Sequence, residues 1–213
     1  MKKIMPKGFY AITDEKLSNG KDNIEVVKEM LDSGVKILQY REKHKQKIEK
    51  FKQCEIIRKL TQQYSCLFIV NDDIDIALAV KSDGLHIGQT DLPIRKTREL
   101  VGPNMIIGLS TQFQNQALLA QEEGADYIGV GPIYQTFTKD DASSPVGLEY
   151  LKFCVDNIKI PKVAIGGIKF SNIKQVLKYK PDNVCMISEI VISNNIKGTI
   201  KKVKELINDQ DYN

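Results

Sequence analysis

The sequence predicts a single-domain (β/α)8 (TIM) barrel, and three observations predict it. Eight short, β-rich apolar runs alternate with longer stretches of helical spacing. The first run is followed by Thr13-Asp14-Glu15 rather than a glycine-rich dinucleotide fingerprint, which disfavours a doubly wound open sheet. Polar residues able to do chemistry follow many of the runs, as they do in a barrel whose loops converge on one mouth. With 213 residues, residues 1–213 form one domain with little room for insertions.

The strand-like runs are residues 9–13, 35–40, 67–70, 84–87, 105–109, 127–130, 163–165 and 184–187. Eight such units in this length require parallel strands joined by helical crossovers. In the second helical segment Ile48, Phe51, Cys54 and Ile57 step by three and Ile56 to Leu60 by four. In the last, Ile196, Ile200, Val203 and Ile207 form one stripe that docks on a sheet.

The bulk numbers exclude several classes. Apolar residues make up 42 %, as in ordinary soluble domains. The net charge of +4 suits phosphorylated ligands, yet no basic cluster is interleaved with aromatics and there is no Trp, so nucleic acid is not indicated as a partner. Cys54, Cys66, Cys154 and Cys185 are scattered among apolar neighbours without a C-x-x-C pair, which reads as small core residues in a reducing compartment. Met1 to Lys7 has charges but no apolar stretch behind them, and no run has membrane-spanning length; a cytoplasmic protein is expected. A homo-oligomer is compatible with all this and demanded by none of it.

The strand ends carry the chemistry. After the second run comes Gln39-Tyr40-Arg41-Glu42-Lys43, in which Gln39, Arg41 and Lys43 share a face by alternation and either offer an amide and two cations suited to a pyrophosphate or form a solvated charged strand end. Asn71-Asp72-Asp73 follows the third run, and Gly88-Gln89-Thr90-Asp91 the fourth. Asp72 and Asp91 can hold one Mg2+, which takes a few carboxylates plus phosphate oxygens. Equally, Asn71 or Asp72 can cap a helix at 75–80, and Asp91 stands before Pro93 as a cap does. His86, inside an apolar run, reads as a satisfied structural histidine at a strand end rather than an acid–base catalyst, and His44 as exposed. Ser110, after the fifth run, can donate to a phosphate, or Ser110 or Thr111 can cap the next helix. The sixth run leads into the longest irregular stretch, where Thr136, Thr138 and Lys139 supply two hydroxyls and a cation; residues 136–147 are the candidate lid, or else a mobile surface loop with incidental polarity. After the seventh run Gly166-Gly167 lets backbone N–H groups approach an anion, or simply makes a tight turn. Ile187-Ser188-Glu189 follows the eighth, and the loops after strands seven and eight are the usual phosphate site of the fold. Two separate anion sites imply two phosphorylated substrates.

These segments resemble the thiamine phosphate synthase family. The matching stretches, in order from about Phe9 to Ile190, are Tyr10 to Asp14, Gln39 to Lys43, Asn71-Asp72, Asp83 to Gln89 with Asp91, Gly108 to Ser110, Asp126 to Pro132, Thr136 to Lys139 with Gly147, and Ala164 to Ile168. Each is weak alone; in register they are specific. The resemblance implies a Mg2+-dependent enzyme that couples 4-amino-2-methyl-5-hydroxymethylpyrimidine pyrophosphate to a thiazole phosphate through a pyrimidine-stabilised carbocation. It assigns Mg2+ to Asp72 and Asp91, and the departing pyrophosphate to Arg41, Lys43, Ser110 and Lys139. Gln39 and Asn71 would orient the pyrimidine, Thr136 and Thr138 would flank the thiazole, and the backbone of Gly167, Ile187 and Ser188 would hold its phosphate. Glu189 departs from the pattern, since a small residue is expected beside that phosphate. Two rivals are a thiazole tautomerase of the same barrel, which needs no metal–pyrophosphate site, and a non-catalytic barrel that binds a phosphate ligand.

Overall fold

The computed structural model describes residues 4–136, 138 and 144–208. Eight parallel strands close into a barrel in chain order: β1 (Gly8–Ile12), β2 (Ile37–Tyr40), β3 (Leu67–Asn71), β4 (Gly84–Ile87), β5 (Ile106–Thr111), β6 (Tyr127–Val130), β7 (Lys162–Ala164) and β8 (Asn183–Val184). β8 returns to β1 through Gly8↔Asn183 and Phe9↔Val184, so no edge is left to solvent. The predicted fold class is therefore the observed one.

The helices are α1 (Asn23–Asp32), α2 (Lys47–Gln63), α3 (Ile74–Ala79), α4 (Ile94–Val101), α5 (Gln114–Glu122), α6 (Gly147–Asn157), α7 (Ile173–Leu177), α8 (Ser188–Val191) and α9 (Ile196–Asn208). None of those described is long and apolar enough to cross a membrane. Asp22 starts α1 with a capping box, accepting from the Glu25 N–H while Glu25 accepts from its own. On α9 the predicted stripe is the buried one, with Ile196, Ile200 and Val203 inaccessible. α2 differs from expectation. Cys54, Ile57 and Thr61 form its buried face, whereas Ile48 and Ile56 are 59 % and 43 % exposed. A helix of this kind docks one stripe about 100° wide, and these two isoleucines fall outside it.

Strand alternation divides the core in two. Tyr10, Ile12, Ile37, Leu67, Ile69, Ile106, Tyr127, Val163 and Cys185 pack together inside the barrel. Their strand neighbours, such as Ala11, Leu38, Phe68 and Val70, pack outward against the helices. Alternation puts Gln39, 2 % exposed, in the interior beside Tyr10.

At the bottom of the barrel a device repeats. Asp83, Asp126 and Asp182 precede β4, β6 and β8, and each accepts the N–H of a residue on the preceding strand: Phe68 (3.0 Å), Ile107 (2.8 Å) and Lys162 (3.0 Å). Each also holds a cation: Arg58 at 2.9 Å, Arg98 at 2.6 Å and Lys162 at 2.9 Å.

Candidate active site

The C-terminal ends of the strands enclose a cavity of about 370 Å3, a size suited to small-molecule substrates. Gln39, Arg41, Asn71, Ser110, Thr136, Thr138, Gly167, Ile187 and Ser188 all line it. Lys43, Asp72 and Asp91 lie at its rim rather than on its wall. Lys43 Nζ reaches Asp72 Oδ2 at 2.5 Å. Asp91 Oδ2 accepts the N–H of Gly88, a wall residue, at 2.6 Å. Burial lifts the Asp91 carboxyl above its ordinary range, and the nearby negative charge of Asp72 pushes the same way. Two carboxylates held this close fit a divalent cation between them. Among the described residues no third acidic, His or Cys side chain joins them in a metal-holding group.

The capping alternatives do not hold for these residues. Asp73, not Asn71 or Asp72, is the residue before α3, and it makes no side-chain cap. α4 starts after Pro93 without a cap bond from Asp91. Ser110 belongs to β5 and its hydroxyl meets His86 Nε2 at 2.9 Å, while Thr111 donates to the Gly129 carbonyl.

Arg41 is 7 % exposed and its guanidinium is paired with Asp14 at 3.0 Å, while its Nε has no protein partner. A largely buried guanidinium on a cavity wall is suited to an anionic ligand. Burial raises the Asp14 carboxyl, with Arg41 opposing.

The opposite wall is built differently. Gly166 and Gly167 have φ of 94° and 65°, and a Cβ on them would sit 2.4 Å from Pro132 Cα and 2.5 Å from the Gln135 carbonyl oxygen. Both glycines are thus required by the loop after β6, which crosses directly over the β7 turn. Thr136 and Thr138 hydroxyls lie 3.3 Å apart on that loop. Lys139, with Phe137 and residues 140–143 of the candidate lid, lies outside the described residues. Glu189 is not a wall residue: the wall takes Ile187 and Ser188, and Glu189 follows Ser188 in the first turn of α8.

Sequence reasoning missed Tyr10 and Tyr127, both inaccessible to solvent and both lining the cavity floor. The signal was the strand period: each is a polar-tipped side chain at an inward position. His86 is satisfied at both ring nitrogens, by Tyr127 at 2.8 Å and Ser110 at 2.9 Å. His44 is exposed.

Comparison with known proteins agrees with this arrangement. The family model "Thiamine monophosphate synthase" matches residues 9–190. A thiamine-phosphate synthase of Caldicellulosiruptor saccharolyticus is 50 % identical over 94 % of this chain and 91 % of its own. One of Lawsonia intracellularis is 50 % identical over 93 % and 92 %. The solved structure of a thiamine phosphate pyrophosphorylase from Pyrococcus furiosus superposes with a TM-score of 0.87 at 37 % identity, covering 96 % of both chains. An orotidine 5'-phosphate decarboxylase from Pyrococcus horikoshii, at 14 % identity and TM-score 0.66, shares the fold alone. Fold, matched length and identity converge: the chain belongs to the thiamine monophosphate synthase family.

Proposed function

We propose that this enzyme of thiamine phosphate synthesis joins 4-amino-2-methyl-5-hydroxymethylpyrimidine pyrophosphate to 4-methyl-5-(2-phosphoethyl)thiazole, or its carboxylate form. The C–O bond to pyrophosphate breaks first, its electron pair leaving with the pyrophosphate oxygen. The thiazole nitrogen then gives its lone pair to the pyrimidine methylene carbon, and thiamine phosphate and pyrophosphate result.

The observation that carries this reading is the pairing of two unlike walls in one cavity. The reading gives Arg41, Lys43, Ser110 and Lys139 the departing pyrophosphate, where preorganised donors stabilise developing charge. Asp72 and Asp91 would hold Mg2+, which when bound supplies further charge neutralisation at that leaving group. Gln39 and Asn71 orient the pyrimidine. Thr136 and Thr138 flank the thiazole, and the N–H groups of Gly167, Ile187 and Ser188 receive its phosphate. The 136–147 loop serves as a lid, because water would quench the cation. The cytoplasm is the proposed site of action, in keeping with four buried cysteines.

The test is pyrophosphate release from purified protein given both substrates and Mg2+. Release only when both substrates are present is expected. Thiazole isomerisation without release would make the chain a tautomerase, and neither reaction would make it a binding barrel. Lys139→Ala is expected to lower turnover strongly with an unchanged melting temperature, and wild-type kinetics in that variant would remove Lys139 from the leaving-group site.

A further inference from the structure

The floor of the cavity holds a continuous hydrogen-bonded chain that crosses the barrel from β2 to β5. Gln39 Nε2 donates to Tyr10 Oη at 2.9 Å. Tyr10 and Tyr127 hydroxyls are 2.8 Å apart. Tyr127 Oη meets His86 Nδ1 at 2.8 Å, and His86 Nε2 meets Ser110 Oγ at 2.9 Å. The packing serves this chain: a Cβ at Gly108 would lie 2.0 Å from Tyr127 Cζ, so only glycine there admits the phenol.

Hydrogen counting gives the chain a direction. Each phenol carries one hydrogen, and burial raises both hydroxyls far above neutrality. Tyr10 receives a hydrogen from Gln39, so its own goes to Tyr127, the other polar group bonded to it. Left unplaced in a site 1 % exposed, that hydrogen would be a buried unsatisfied donor. Tyr127 accepts from Tyr10 and also has the Gln39 amide beside it, so its own hydrogen goes to His86 Nδ1; the ring hydrogen then sits on Nε2 and goes to Ser110, and the Ser110 hydrogen is left for the cavity.

We propose that Tyr10, Tyr127 and His86 are positioning residues that lock the two ends of this relay together. While Gln39 shows its carbonyl oxygen to the cavity, Ser110 must show its O–H. Reversing the Gln39 amide reverses every bond, so that Ser110 donates inward to His86 and shows only lone pairs. With Gln39 Nε2 on Tyr10, the first state follows, with an acceptor left at Gln39 and a donor at Ser110. Resting on the assignment of the pyrimidine to Gln39 and the pyrophosphate to Ser110, that state matches an amino group at one end and an anionic oxygen at the other. The relay makes recognition of the ring and stabilisation of the leaving group a single orientational choice.

The tautomer of His86 reads the direction without any substrate. The chain has two histidines, so His44→Gln, at an exposed position, leaves His86 as the sole imidazole. Long-range 1H–15N spectra at neutral pH are expected to show neutral Nε2–H. An imidazolium, an Nδ1–H ring or an averaged mixture would overturn the proposal. Gln39→Glu, whose ionised carboxylate can only accept, is expected to switch the ring to Nδ1–H from the far side of the barrel once pH exceeds the titration of that carboxyl; an unchanged tautomer in the folded variant above it would overturn the proposal too. Should that variant not fold, Tyr127→Phe cuts the relay with little change in shape. It is expected to mix the tautomers and to lower kcat about tenfold with a smaller change in KM, and an unmixed tautomer contradicts the relay. Failure of the substrate assignment would appear separately, as absent turnover in the parent protein with the tautomer intact.

Discussion

The two ends of this barrel use the same residue types for opposite purposes. At the bottom, Asp83, Asp126 and Asp182 each satisfy both a strand N–H and a basic side chain. At the mouth, Lys43 and Asp72 hold one another through side chains that are 50 % and 28 % exposed, and Arg41, paired with Asp14, lines the cavity itself. The bottom carboxylates each hold a strand N–H as well as a cation and lie away from the cavity, so they have little to offer a ligand and much to lose on substitution. The mouth pairs are exchangeable, so a charged ligand re-partners them at small structural cost. This is the division between stability and catalysis expected of the two faces of the fold.

Substitutions should separate the two ends cleanly. The largest effect belongs to Asp83→Ala, which strands Arg58 and the Phe68 N–H in a partly buried site. A loss of roughly 3–5 kcal/mol is expected, read as a fall of about 10 °C in melting temperature with kcat unchanged. A catalytic defect without destabilisation would break the contrast. Next comes Arg41→Lys, which keeps a charge near Asp14 but loses the fork. Turnover is expected to fall roughly a hundredfold with a far smaller change in melting temperature. Lys43→Ala, at an exposed side chain, is expected to lower kcat/KM by about tenfold and stability by under about 0.5 kcal/mol.

The bottom also has a pH signature. Burial would raise the Asp182 carboxyl, but Lys162, its backbone N–H and Lys7 outweigh burial and leave it lowered. A lowered folded-state value means stability fully present above the unfolded value, near pH 4, and lost as pH falls through the folded one. Asp182→Asn should therefore flatten the acid limb of a melting-temperature profile; an unchanged limb would contradict the pairing. The smallest effect is reserved for Glu189→Gln, off the cavity wall, for which less than about a twofold change in KM for the thiazole phosphate is expected.

Much of this was legible in the sequence. Period and alternation gave all eight strands, because a barrel buries both strand faces and leaves continuous apolar runs. The residues that line the cavity by side chain, such as Arg41 and Asn71, stand at strand ends and could be read from position alone. Three things were hidden. The β8 ladder ends at Val184, because Cys185 to Ile187 turn toward α8, a departure no apolar count reveals. The exposure of Ile48 and Ile56 depends on which stripe of α2 meets the barrel. Tyr10, Tyr127 and His86 come from three strands distant in sequence, and only closure of the barrel brings their polar tips together. Long-range hydrogen bonds between single side chains leave no local pattern to read.

On the proposed reading, Arg41 on the cavity wall and Lys43, Asp72 and Asp91 at its rim take the pyrophosphate, apart from the backbone wall of β7 and β8 that takes the other phosphate. A crystal soaked with Mg2+ and pyrophosphate tests it most directly. The metal is expected between Asp72 and Asp91, with the diphosphate oxygens on Arg41, Lys43 and Ser110. A diphosphate seated at Gly167 and Ser188 instead, or a metal bound away from both carboxylates, would contradict it.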